Sequence, residues 1–249
     1  MTLSKESQTF LDNLRVYLFA SNKKEEEVNE LLEELEDHLY EAEQNGKSIE
    51  HIIGKSPKSY MKEVEAEVDK DGRFWILYMP MIILGAFAYL VMDKALDNDR
   101  SYSLLILIGN PVLFIFSILA LFCLYRYVAA NKVSKKAEIL SYLLFSIIQI
   151  SLFVGLLFAN DWKQTPVLTV SPVGNTALIF MSLLVFAGLA VFSKTWLVIV
   201  LPVLFFSPQI ILRYIHIDEN TELILLTCIQ SFFMLGLAIW MIWQLKKEN

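Results

Sequence analysis

The chain changes its pattern of apolar and polar positions once, near residue 73. Before that point apolar residues recur every three or four positions, as one face of a helix requires. Phe10, Leu11, Leu14, Tyr17 and Leu18 form the first stripe, with Ser4 placed to cap its helix. Asn22 with Glu25 three residues later reads as a capping box opening the longest helix. Its stripe is Val28, Leu31, Leu32, Leu35, Leu39 and Ala42, and Asn45-Gly46 offers a left-handed stop. Ser48 starts a short turn through Ile49, Ile52 and Ile53 to Gly54. Ser56 and Pro57 then open a helix carrying Tyr60, Met61, Val64 and Val68, which ends before Gly72.

After Arg73 the periodicity gives way to uncharged apolar runs, each near the roughly 20 residues that a bilayer crossing needs. Six spans are predicted, at about 74–92, 102–125, 139–160, 175–192, 195–212 and 223–245. The segment holding Thr165, Pro166, Ser171, Pro172 and Gly174 reads as a loop, and the fifth span is interrupted by Pro202 and Pro208. Trp75, Tyr78, Tyr102, Tyr125, Trp162, Trp196, Trp240 and Trp243 fall near proposed span ends, where amphipathic rings favour the headgroup boundary. The expected fold class is therefore all-α: a polytopic membrane protein with about six transmembrane helices (74–249) and an N-terminal cytosolic helical bundle (1–73).

Composition agrees, with 55% hydrophobic and 19% charged residues and a mean hydropathy of +0.49, against about 45–50% and 25% for a soluble domain. Charge is divided unevenly. Residues 1–73 hold 10 Lys and Arg against 18 Asp and Glu, a net of −8, while 74–249 hold 11 against 9. A module at −8 is repelled by phosphate backbones, so no direct nucleic-acid partner is expected. Ten basic residues lie near the span ends on the side of the amino terminus and four on the opposite side. Both termini are thus expected in the cytoplasm of a bacterial plasma membrane. The hydrophilic start is not a signal peptide, so the first span is expected to direct insertion. Cys123 and Cys228 both sit in apolar runs and suggest no disulfide.

The stretch Glu33-Glu34-Leu35-Glu36-Asp37-His38-Leu39-Tyr40-Glu41-Ala42, followed by Gly46-Lys47-Ser48 and then Ile52-Ile53-Gly54-Lys55-Ser56-Pro57, resembles the HAAS-type helical signalling domain. The resemblance covers roughly residues 22–70. It departs from the family's pattern where Lys55-Ser56 stands between Gly54 and Pro57 in place of Gly-x-Pro. The resemblance implies a helical module of Firmicute proteins, usually fused to membrane helices and often encoded beside PadR-type regulators. Regulation through protein contacts is what it implies, and its signature is helix punctuation rather than catalysis.

Glu34, His38 and Glu41, spaced by four and three, share one helical face. They suit a metal ion in principle, but a zinc site needs further strong ligands, so with Ser48 they are read as partner-contact residues. Lys132, Lys135 and Lys136 form a basic loop for anionic lipid headgroups or for the module itself. Asp93, Asp97 and Asp99 read as a solvated loop more than a cation patch, and His216 as an ordinary titrating group. Asn110, Gln149, Asn160, Asn175 and Gln230 are polar groups expected to bond across helices. No hydrolase, phosphate-loop or dinucleotide motif is present, and no cofactor or metal is expected. The expected function is an integral membrane regulatory or adaptor protein whose acidic module docks a protein partner, with membrane lipids as its surroundings. The alternative is a permease or the membrane subunit of a transport complex, disfavoured by the lack of intramembrane charge.

Overall fold

In the computed structural model, residues 3–248 are described apart from 55, 98, 99, 132, 164, 214, 216 and 217. The chain is helical almost throughout. Four helices precede the membrane region: α1 (Lys5–Ala20), α2 (Glu25–Gln44), α3 (Glu50–Ile53) and α4 (Pro57–Glu67). A stretch of wide π-type turns at Phe74–Tyr78 leads into α5 (Met79–Leu96). Then come β1 (Ser101–Ser103), α6 (Leu104–Ala130), α7 (Lys135–Lys163), β2 (Val167–Thr169), α8 (Pro172–Ser193), α9 (Leu197–Arg213) and α10 (Glu219–Glu248).

Five stretches, among the described residues, are long and apolar enough to cross a bilayer: Phe74–Leu96, Leu104–Ala130, Lys135–Lys163, Pro172–Ser193 and Asn220–Trp240. The span expected at 195–212 is the exception. Its helix, α9, has 17 residues with Pro202 and Pro208 inside, about 26 Å at 1.5 Å per residue against a hydrocarbon core of about 30 Å. Among the described residues the fold is all-α and multi-pass, with five spans of that length and α9 as a shorter apolar helix.

Local sequence explains most helix ends. The Ser4 side chain accepts from Ser7 N–H at the start of α1, and Ser56 does the same for Ser59 ahead of Pro57. At the end of α2, Gly46 adopts φ +71, with Lys47 N–H bonded to Ala42 O and Gly46 N–H to Glu43 O, the paired bonds of a Schellman stop. The expected capping box at Asn22 is not formed. Asn22 instead takes φ +57 and supplies the same stop to α1, with Lys23 N–H on Leu18 O and Asn22 N–H on Phe19 O. An asparagine tolerates the left-handed region better than most residues, and α2 begins after Lys24 without a side-chain cap.

Two further boundaries differ from expectation. Pro172 and Gly174 lie in the first turn of α8, capped by Ser171, so the expected loop is shorter. Asp93 and Lys94 belong to α5, which runs to Leu96. Asp99 and His216 lie outside the described residues.

The chain forms two compact units. One comprises Met1–Ile83 with Leu104–Pro166, the other Leu84–Ser103 with Val167–Asn249. In the first unit, the stripes of α1, α2 and α4 close one core in which Leu14, Leu18, Leu39 and Met61 are almost fully buried. Ala129 and Ala130, at the end of α6, complete that core. In the same unit α6 and α7 pair, with Ser117 Oγ donating to Gln149 Oε1 at 2.6 Å, while a Cβ on Gly109 would press on the Leu156 side chain. In the second unit β1 and β2 pair antiparallel, Tyr102 opposite Leu168. Ala88, Met92, Phe186 and Phe206 form its apolar centre, and Gln230 Nε2 donates to Phe205 O at 3.5 Å, beside the carbonyl that Pro208 leaves without its N–H partner.

Candidate functional site

The amino-terminal helices offer two surfaces with distinct chemistry. The first is the outward side of α2. Because Val28, Leu32, Leu35 and Leu39 turn into the core, the opposite positions Glu26, Glu30, Glu33, Glu34, Asp37, His38 and Glu41 are exposed. Glu26 with Glu30, Glu30 with Glu34, Glu33 with Asp37, and Asp37 with Glu41 are like charges four residues apart, each such pair costing a helix about 0.2–0.5 kcal/mol. His38 Nε2 lies 3.6 Å from Glu34 Oε1, both side chains well exposed. Glu41 does not join them, and among the described residues no three His, Cys, Asp or Glu side chains are placed to hold a metal ion together. Ser48 is exposed in the turn before α3, where its carbonyl accepts from His51 N–H.

The second surface is a seam between these helices and α6. Tyr17 Oη of α1 donates to Glu65 Oε2 of α4 at 2.6 Å. Arg126 Nη2 of α6 donates to both carboxylate oxygens of Glu65 at 2.9 Å, and to Tyr17 Oη at 3.3 Å. The guanidinium carbon also stands 5.2 Å from the Tyr17 ring centre, within the range of a cation–π contact. Burial, then the hydrogen bond to Glu65, push the Tyr17 hydroxyl above its usual pKa. One carboxylate thus holds three helices. Lys58 Nζ adds a longer contact to Asn131 Oδ1 at 3.5 Å.

Two smaller clusters brace the module. Ser4 N–H and Ser7 Oγ both donate to the Glu43 carboxylate, at 2.9 and 2.6 Å. These bonds hold that carboxyl below the usual range. Lys24 Nζ bridges Asp69 and Glu27, each at 2.8 Å, which raises the amine and lowers both carboxyls.

The basic segment reads differently in three dimensions. Lys135 and Lys136 are exposed in the first turn of α7 rather than in a loop, and Lys132 lies outside the described residues. Among the described residues, the cation of α6 that meets the module is Arg126, four residues before the helix ends. Its partner Glu65 stands on the stripe positions 61, 64, 65 and 68 that face the core, and an acid in an apolar stripe is the signal that marks such a site.

In the membrane region Asn175 and Gln209 reach beyond their own helices, while the Ser141, Ser146 and Ser151 hydroxyls turn back on carbonyls of α7. Asn175 Nδ2 donates to Ala95 O at 2.9 Å while its Oδ1 accepts from Tyr102 Oη at 3.2 Å. Asn160 Oδ1 accepts from Thr165 Oγ1 at 2.9 Å. Gln209 Nε2 reaches Asp97 Oδ1 at 2.7 Å.

No curated protein and no solved structure matches the chain. A family model described as HAAS transmembrane region matches residues 89–205, from the second half of α5 into α9. The match falls on the membrane spans, whereas the sequence resemblance was carried by the acidic helices before them. The chain is a multi-pass membrane protein whose residues 89–205 are similar to the HAAS transmembrane region.

Proposed function

We propose that the protein is a membrane-anchored regulatory adaptor whose acidic helical module docks a protein partner. The carrying observation is the outward face of α2. A row of like charges destabilises its own helix, and a partner with a basic surface relieves that repulsion, so the face is better suited to association than to isolation. The apolar stripes of α1, α2 and α4 are already committed to their shared core, which leaves electrostatic complementarity as the means of recognition. Glu34, His38, Glu41 and Ser48 are the contact residues of this reading, which assigns no catalytic step and no cofactor.

We place the module in the cytoplasm, because Lys and Arg near the spans concentrate on its side. Both termini then share that side, which makes α9 a short crossing between Lys194 and Arg213, accommodated by local thinning of the bilayer.

The test is crosslinking of the tagged full-length protein in native membranes, followed by mass spectrometry, against a variant with Glu30→Gln, Glu33→Gln, Glu34→Gln and Asp37→Asn. These changes leave the buried stripe intact. Loss of a specific regulatory protein from the variant supports docking through α2. Recovery of the same partners from both overturns it, and an ATPase recovered with both moves the function into the membrane spans.

A further inference from the structure

The carboxy-terminal end of α1 lies beside the point where the chain enters the membrane. Asn22 and Asp71 exchange two bonds, Asp71 N–H to Asn22 O at 2.8 Å and Asn22 Nδ2 to Asp71 O at 2.5 Å. Lys23 pairs with Lys70 as an antiparallel bridge, Lys23 Nζ donates to Val68 O at 2.7 Å, and Lys24 N–H donates to Asp69 O at 3.1 Å. Three residues after Asp71 the first span begins at Phe74, so the α1–α2 turn is held within about 10 Å of chain from that start.

Helix α6 gives an independent measure of depth. Its 27 residues are about 40 Å long, and a hydrocarbon core of about 30 Å takes about 20 of them. Counted from Leu104, those 20 end near Cys123. Arg126, Ala129 and Ala130 then lie beyond the hydrocarbon, where they meet the module, and Phe122 lies at its edge. The Phe122 ring centre is 5.3 Å from that of Phe74 and 6.4 Å from that of Phe19. Both measures put Phe19 at the same level: the boundary between hydrocarbon and headgroups.

Phe19 is nonetheless 66% exposed, and Val16, one turn earlier on the same side of α1, is also exposed, while Leu14 and Leu18 on the other side are fully buried. Trp75 and Tyr78 are exposed at the start of the first span, and Lys70 and Arg73 are exposed just outside it. An apolar tip, amphipathic rings and a basic collar at one depth are the components of an interfacial anchor.

We infer that Phe19 and Val16 insert into the bilayer interface on the module's side, so that α1 is a lipid-contacting element and not only part of the module's core. Lipid is the occupant because the patch is continuous with the lipid-facing surface of the first span and carries cations where anionic headgroups lie. The exposed acids of α2 carry the charge that anionic headgroups repel, so the two surfaces serve separate contacts.

The test uses the full-length protein with Cys123→Ala and Cys228→Ala, and a single cysteine introduced as Phe19→Cys, Val16→Cys or Glu33→Cys. Each is labelled with a nitrobenzoxadiazole fluorophore and reconstituted at one copy per vesicle into phosphatidylethanolamine and phosphatidylglycerol. The label at position 19 is expected to emit to the blue of that at 33, to be quenched by lipid carrying a shallow doxyl group, and to be several-fold less sensitive to aqueous iodide. Position 16 should fall between them. It also carries the test should the change at 19 disturb folding. Iodide quenching at 19 and 16 equal to that at 33 overturns the inference. Protection from both quenchers also overturns it, by showing that protein rather than lipid covers the patch.

Discussion

Arg126 donates through one nitrogen to both carboxylate oxygens of Glu65 at 2.9 Å, and in doing so joins a membrane-spanning helix to the last helix of the acidic module. The pair is only partly sheltered, with the arginine side chain 41% and the glutamate 22% exposed. Its energetic weight therefore lies between an exposed ion pair, about 0.2–1 kcal/mol, and a sheltered charged hydrogen bond, about 1.5–3 kcal/mol.

A double-mutant cycle measures that weight. Arg126→Ala and Glu65→Gln should each destabilise the module in detergent, seen as faster amide hydrogen exchange in α1 and α4. The double variant should be little worse than the more damaging single one, giving a coupling of about 1 kcal/mol. Strictly additive effects would show that the two side chains do not act together.

Tyr17 separates the hydroxyl from the ring. Tyr17→Phe removes the bond to Glu65 but keeps the ring beside Arg126, at a cost of about 1 kcal/mol. Tyr17→Ala also empties a core position that is 3% exposed, and should cost about 3–5 kcal/mol, as for other buried aromatic truncations. Because the folded hydroxyl titrates above its usual value near 10, its contribution is complete below that pH. It declines as the pH rises through the folded value. The stability gap between the native protein and Tyr17→Phe should therefore narrow above pH 10, and a gap that widens there contradicts the assigned bond.

The helices of the module were legible because their punctuation is local. Ser4, Ser56-Pro57, Gly46 and Gly54 act through the backbone of their own turn, and the buried stripes follow from helical spacing alone. Asn22 misled because the same side chain serves either as a cap for the next helix or as the left-handed stop of the previous one. The bond to Asp71, 49 residues away, accompanies the second use. Ser171-Pro172 repeats the Ser-Pro signal of α4, but the surrounding Pro and Gly residues obscured it. The seam itself was out of reach of spacing rules, since Tyr17, Glu65 and Arg126 come from three helices. The exposed acidic face of α2 was visible because exposure on a helix follows directly from the position of its buried stripe.

The two left-handed glycines of the module should differ in their tolerance of alanine. A Cβ at Gly46 or Gly54 meets nothing within 4 Å, so any cost is conformational. Gly46 has φ +71 at a Schellman stop, where alanine should cost about 1 kcal/mol. Gly54 combines φ +70 with ψ −172, a region almost confined to glycine, and alanine there should cost about 1–3 kcal/mol. Thermal unfolding should rank Gly54→Ala below Gly46→Ala, and equal midpoints would refute this reading of the turn before α4.

Glu43 predicts an acid-side dependence. Hydrogen bonds from Ser4 and Ser7 hold its carboxyl below the usual range, so its contribution to stability is present above the unfolded pKa, near 4.5, and is lost as the pH falls through the folded one. Glu43→Gln, which cannot ionise, should flatten the fall in stability below about pH 4.5. Ser7→Ala should raise the Glu43 pKa measured by carboxyl NMR, and an unchanged value would remove Ser7 from the set of groups that depress it.

Asn175 is the corresponding test in the second unit. It is buried, and its amide uses both ends: Nδ2 serves the Ala95 carbonyl, one of the last four of α5 and so without a helical partner, while Oδ1 receives Tyr102 Oη. Asn175→Ala abandons a carbonyl and a hydroxyl together, each in a place that water does not reach, and should cost about 1–3 kcal/mol. Tyr102→Phe leaves the Ala95 bond in place and should cost less, about 1 kcal/mol. Because β1 pairs with β2 and Val170 N–H donates to Arg100 O, the bonded amides of the ladder alternate, and Asn175→Ala should also speed hydrogen exchange at Leu168 and Val170, whereas Tyr102→Phe should affect these amides less. If both variants melt together with the same exchange pattern, the carbonyl of Ala95 has found another donor, and Asn175 does not secure the end of α5.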